Sequence, residues 1–119
     1  MSHKKKMTVA DFRKFKQEGI KFSYVTAYDY TTASIVNDSD IEVILVGDSL
    51  GMIMLGYSST TPVTMEDMIH HIRPVVKGAP DTWIVGDMPF GSYQESDEQA
   101  IRNAIRMIKE TGCDCIKLE

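Results

Sequence analysis

Cysteine, proline and tryptophan are scarce in this chain, with 2 Cys, 4 Pro and 1 Trp. The two cysteines, Cys113 and Cys115, cannot make the disulfide framework of a small secreted domain. Long apolar runs are missing as well, and nothing approaches the ~18 residues of a membrane span. Positive charge is in the minority, 13 Lys+Arg against 17 Asp+Glu, for a formal net charge of −4. That balance argues against nucleic acid or an anionic membrane as a main partner. The basic start, residues 1–7, leads into the amphipathic stretch Thr8–Phe15, where a secretory signal would need an apolar core. The expected location is therefore the cytoplasm, with residues 1–7 expected to be flexible. What remains is 119 residues, 43% hydrophobic and 25% charged. That is enough for one core, so residues 1–119 are read as a single domain.

Neither repeats nor low complexity occur; strand and helix signals alternate instead. Thr8 with Asp11 forms a capping-box pattern, Val9, Phe12 and Phe15 follow at helical spacing, and Gly19 can end that helix. Lys21–Ala27 is rich in strand formers, and Asp29 is placed to cap a short helix over Thr31–Asn37. Ile41–Val46 is almost continuously apolar, as parallel strands buried on both faces are. Thr64 with Asp67 opens a helix whose stripe is Met65, Met68, Ile69, Ile72 and Val76, with Pro74 expected to kink it. Thr82–Val85 reads as the third strand. Ser96 with Gln99 makes another capping-box pattern, ahead of a stripe of Ala100, Ile101, Ala104, Ile105 and Ile108 that Gly112 closes. Cys113–Glu119 reads as the last strand. A leading helix, three βα units and a final strand require parallel pairing with right-handed crossovers. Two architectures fit, a doubly wound sheet or part of a (β/α)8 barrel. A whole barrel takes ~250 residues, so this length holds about half of one.

Acidic residues end three successive strands. Asp48 follows the second after Gly47, Asp87 follows the third after Gly86, and Glu119 ends the fourth. They are separated by 39 and 32 residues, each about one βα unit. In a parallel sheet all three lie at the C-terminal edge, where neighbouring strands are only ~4.8 Å apart. Three carboxylates without His or thiolate suit a hard cation such as Mg²⁺. Strand periodicity places Cys113, Cys115, Lys117 and Glu119 on one face and Asp114, Ile116 and Leu118 on the other. Ile116 and Leu118 are expected beneath helices, with Lys117 and Glu119 directed into the site. There Lys117 can neutralise a bound carboxylate, while Ser49 offers a hydroxyl and a backbone N–H beside Asp48. The inward strand faces are expected to include Trp83, Val85 and Val46. The long, apolar connection Gly47–Pro62 is expected to fold over the site.

Three patterns compete with this reading. Cys113-Asp114-Cys115 lacks the second pair of ligands that a zinc site needs, so both thiols read as small buried groups. His70 and His71 are neighbours on a helix, point ~100° apart and cannot chelate together. Gly47-Asp-Ser-Leu-Gly51 fits a G-x-S-x-G elbow and the Gly-Asp-Ser-Leu block of an esterase group, with Ser49 as nucleophile. Asp67 and His70 would then have to complete the triad from inside a helix, 18 and 21 residues after Ser49.

Taken together, Thr26–Tyr30 (Thr-Ala-Tyr-Asp-Tyr), Leu45–Met52, Pro62–Thr64, Gly78–Pro80, Gly86–Phe90 and Lys117–Glu119 resemble the ketopantoate hydroxymethyltransferase family, over about residues 8–119. The resemblance implies a (β/α)8 TIM barrel of the phosphoenolpyruvate mutase-like group, of which this chain carries the leading helix and roughly the first four strands. It implies hydroxymethylation of 3-methyl-2-oxobutanoate to ketopantoate, in pantothenate and coenzyme A biosynthesis. Methylenetetrahydrofolate would be the one-carbon donor, with one Mg²⁺ per subunit. The metal acids would be Asp48, Asp87 and Glu119. Asp48, Ser49, Asp87 and Lys117 would bind the 2-oxo acid. The family's general base, a glutamate, lies beyond the matched stretch, so no catalytic base is expected in this chain. An inactive, incomplete piece is the expectation for the chain by itself. The resemblance also implies a ring-type homo-oligomer, a decamer. An Mg-dependent enolate enzyme of the mutase or lyase type is the alternative, ahead of the esterase.

Overall fold

The computed structural model describes residues 4–119. Helix α1 (Val9–Glu18) is set by the Thr8–Asp11 capping box and closed by Gly19 in the left-handed conformation, φ 67°. Strand β1 (Tyr24–Thr26) leads to α2 (Tyr30–Asn37), whose first turn is capped by Asp29 accepting from the Thr32 N–H. Then come β2 (Val43–Val46), a single-turn α3 (Leu50–Ile53) and α4 (Met65–Gly78). Strand β3 (Trp83–Asp87), α5 (Asp97–Thr111) and β4 (Cys115–Lys117) complete the described chain. Among the described residues, no helix is long and apolar enough to cross a membrane.

The four strands form one sheet in the order β1-β2-β3-β4, every pair parallel. A doubly wound sheet reverses its strand order at a switch point. This sheet does not reverse, and its sequential order is that of a (β/α)8 barrel. The register aligns Tyr24, Val43 and Trp83, and then Val85 with Cys115. These side chains line an apolar groove with Val9 and Phe12 of α1. Phe12 closes one end of it, edge-on to Trp83 and to Phe22. The opposite face of the sheet carries the core, where Ile44, Val46 and Ile84 pack against α2, α4 and the Met107 side of α5.

Four expectations need correction here. Val46 pairs with Gly86, not with Val85, and is wholly buried on the helix side. A strand apolar on both faces has no alternation to reveal its phase. Leu118 is 54% exposed and not beneath a helix, whereas Ile116 does pack on the core. On α5 the buried positions are Met107 and Thr111, with Ala104 packed against the core, while Ile101 and Ile105 are 61% and 56% exposed. The isoleucine stripe lies roughly 100° around the helix from the side that meets the sheet. The Ser96–Gln99 box is only half made. Ser96 Oγ caps the Gln99 N–H, but the Gln99 amide accepts from the Glu95 N–H and donates to the Gly91 carbonyl.

The flexible stretch expected over residues 1–7 falls partly outside the described residues. Within them, Lys4 donates to the carbonyls of Val36 and Ile41, and Lys6 pairs with Asp114 at 2.8 Å.

Candidate active site

Each βα connection delivers its acid to the same edge for a local reason. At β2 the turn is Gly47-Asp48-Ser49. A Cβ on Gly47 would lie 3.2 Å from Ser49 Oγ and 3.6 Å from Asp87 Oδ2, so the absent side chain leaves room for both. At β3, Gly86 lets the strand approach its helices, because a Cβ there would meet Ile72 Cδ1 at 2.9 Å. Asp87 follows it at the strand end. Its Oδ2 accepts the Asp48 backbone N–H at 3.0 Å, tying the two strand ends together. Beyond β4, Glu119 is fixed through its main chain by Tyr93. The Tyr93 hydroxyl donates to the Glu119 carbonyl at 2.8 Å and accepts its N–H at 2.9 Å.

Asp48, Asp87 and Glu119 thereby converge. One carboxylate oxygen from each lies within 4.8 Å of the other two, and among the described residues this is the group able to hold a metal ion. Asp87 is 2% exposed, and its Oδ1 is buried with no hydrogen-bond partner. Buried acceptors left without a partner are rare. Burial raises the Asp87 carboxyl above the ordinary range, against the Asp48 N–H and Lys117, which lower it. Burial also raises Asp48, helped by the negative charges of Asp87 and Glu119. The Lys117 ammonium reaches Glu119 Oε1 at 3.2 Å, and that bond, with the field of Asp87, raises its pKa. Anionic oxygens at close quarters, one of them unpartnered, fit a hard divalent cation.

A cavity of about 230 Å³ opens over this cluster, lined by Asp48 and Glu119 with Thr60, Thr61, Met88 and Phe90. Thr60 and Thr61 belong to the long β2–α4 connection, so one end of it does reach the site. Its apolar tip turns to solvent instead, with Ile53 66% exposed. Ser49 stands beside Asp48 and bonds the Tyr28 phenol, Oγ to Oη 2.7 Å.

The competing patterns come apart in space. Asp67 is occupied as the cap partner of the Thr64 N–H, and His70 is exposed on α4. Cys113 is buried, and Cys115 Sγ accepts from the Trp83 indole at 3.3 Å. Burial raises both thiols. His71 Nδ1 lies 2.8 Å from the Tyr28 carbonyl. Two site neighbours escaped the sequence reading. Tyr28 sits inside the Thr26–Tyr30 motif, which at least marked the region, whereas Tyr93 carries no pattern signal.

A family profile described as ketopantoate hydroxymethyltransferase matches residues 6–119. The chain belongs to the ketopantoate hydroxymethyltransferase family. Among curated relatives, the 3-methyl-2-oxobutanoate hydroxymethyltransferase of Heliobacterium modesticaldum is 56% identical over 115 residues, covering 97% of this chain and 42% of the relative. The enzyme of the same name from Alkaliphilus metalliredigens is 57% identical, covering 97% and 41%. That from Ignicoccus hospitalis is 50% identical, covering 97% and 43%. The chain thus spans about two fifths of the length of these relatives. Membership in this hydroxymethyltransferase family accords with the sequential parallel sheet, and it sets the esterase reading of Ser49 aside.

Proposed function

We propose that this chain forms the metal- and 2-oxo-acid-binding part of an enzyme that hydroxymethylates 3-methyl-2-oxobutanoate to ketopantoate, with methylenetetrahydrofolate as donor. The observation that carries the proposal is the convergence of Asp48, Asp87 and Glu119, with Asp87 Oδ1 buried and unpartnered, in a chain of this family. Asp48, Asp87 and Glu119 would hold the ion. A divalent cation there supplies Lewis acidity to the 2-oxo group while charge develops on it.

The other roles follow from placement. Lys117 brings a fixed positive charge for the substrate carboxylate, and Ser49 a hydroxyl beside it. Met88 and Phe90 supply the apolar part of the cavity lining. The substrate's C3 proton goes to a base, a glutamate by resemblance, which this stretch of the family does not supply. The resulting carbon nucleophile forms the new C–C bond to the folate methylene carbon, water supplies the hydroxyl, and the two methylene C–N bonds break to release tetrahydrofolate, so folate brings the one-carbon unit and the protein brings placement. Magnesium as the metal and a ring-type homo-oligomer rest on the resemblance; with the cytoplasmic location expected from the sequence, they complete this reading.

Steady-state kinetics of the active enzyme containing this chain test it. Lys117→Ala should raise KM for 3-methyl-2-oxobutanoate far more than KM for the folate. Absence of ketopantoate from the unmodified enzyme, or equal effects of the variant on both substrates, contradicts the assignment.

A further inference from the structure

We propose that Tyr28 is a positioning residue of the 2-oxo acid site, acting through Ser49; the inference rests on the substrate-binding reading of Ser49 above. The phenol and the Ser49 hydroxyl are 2.7 Å apart. Each has one proton to give. A phenol is the more acidic donor, so the favoured polarity runs from Tyr28 Oη–H to Ser49 Oγ. This leaves the Ser49 proton free to point toward a bound carboxylate or oxo group. A hydroxyl that already accepts one hydrogen bond is also a stronger donor for the next. Without the phenol, Ser49 Oγ would have a free rotor and an empty acceptor position.

The surroundings hold this arrangement in place. Tyr28 lies two residues past the end of β1, and it packs against the core cluster. Its carbonyl lies 2.8 Å from His71 Nδ1 on α4. A carbonyl only accepts, so Nδ1 carries the proton and α4 anchors the turn that presents the phenol. On the other side, Gly47 leaves space for the Ser49 hydroxyl, since a Cβ there would stand 3.2 Å from Oγ. The contact joins residues 21 apart in sequence and sits next to Asp48. It therefore couples the β1 edge to the β2 turn where the substrate would bind.

The test is a double-mutant cycle in the active enzyme, comparing Tyr28→Phe, Ser49→Ala and the double variant. Binding of 3-methyl-2-oxobutanoate in saturating Mg²⁺ is read by calorimetry, and KM and kcat by steady-state assay. Tyr28→Phe should weaken 2-oxo acid binding roughly threefold to tenfold, the worth of one ordinary hydrogen bond. KM for the 2-oxo acid should rise in parallel, with kcat, folate KM and Mg²⁺ affinity close to unmodified values. In the Ser49→Ala background the same change should cost nothing further. Unchanged binding in Tyr28→Phe overturns the proposal. So do losses that multiply in the double variant, because a packing defect would act independently of Ser49. If the unmodified enzyme binds no 2-oxo acid, the functional reading itself falls and this inference with it. If it binds normally and only the cycle fails, the error lies with Tyr28 alone.

Discussion

The Asp87 carboxylate is held at the end of β3 with one oxygen satisfied by the Asp48 N–H and the other, Oδ1, buried without a partner. A charge in that position destabilises the metal-free fold. Its raised pKa sets the sign. Between the ordinary carboxylate value of ~3.9 and the raised folded value, the native state binds more protons than the unfolded state. Stability from this group therefore falls as pH rises through that window. Asp87→Asn keeps the size and an acceptor for the Asp48 N–H while removing the charge. Without metal at neutral pH, the variant should melt a few degrees above the unmodified protein. The gap should close as pH falls below the ordinary carboxylate range. Mg²⁺ at a concentration that saturates the unmodified protein should stabilise it more than the variant, by mass action. Thermal melts across pH, with and without Mg²⁺, check both parts. A metal-free variant that melts lower at neutral pH contradicts the sign.

Among the elements, α5 divides most sharply into a side that supports the fold and a side that does not. Met107 is fully buried under the sheet, so Met107→Ala should cost about 2–5 kcal/mol through lost burial and the cavity left behind. Ile105→Glu, on the exposed flank, should stay within about 0.5 kcal/mol for this chain. Chemical denaturation of the two variants checks the ranking, and a larger loss for Ile105→Glu overturns the assignment of the buried side. The same helix shows what was legible in the sequence. Its caps are local, so Ser96 and Gly112 marked both ends. Which side of a wide apolar arc meets the sheet is decided by tertiary packing, and the isoleucines misled. In β2 the strand was plain, yet its phase was hidden by side chains apolar on both faces. The acidic triad was legible because each member ends a strand in successive βα units, and a parallel sheet brings such positions to one edge. Tyr28 and Tyr93 were not, because their bonds to Ser49 and Glu119 span 21 and 26 residues with no periodic signal.

At the scale of the whole molecule, the sheet ends among the described residues in two free edges, β1 and β4. The sheet face opposite α2, α4 and α5 leaves an apolar groove of about 330 Å³, lined by Tyr24, Trp83 and Val85 with Val9 and Phe12 of α1. Open edges and an uncovered apolar face favour pairing with other chains. The 119-residue chain by itself should therefore self-associate, with sizing and light scattering showing species above the monomer mass. It should also form no ketopantoate at enzyme-like rates when given Mg²⁺ and both substrates. A general base contributes typically ~10²–10⁴-fold, and the proposed roles leave that function to another part of the enzyme. A monodisperse, active preparation of the chain contradicts this picture.

The central claim is that Asp48, Asp87 and Glu119 form one divalent-cation site. Calorimetric titration of Mg²⁺ into the active enzyme containing this chain, with Asp48→Asn and Asp87→Asn alongside, tests it most directly. The account predicts one ion per chain in the unmodified enzyme, with affinity weakened roughly tenfold or more in either variant, since each removes an anionic oxygen donor of the kind a hard cation requires. Unchanged stoichiometry and affinity in both variants would contradict it.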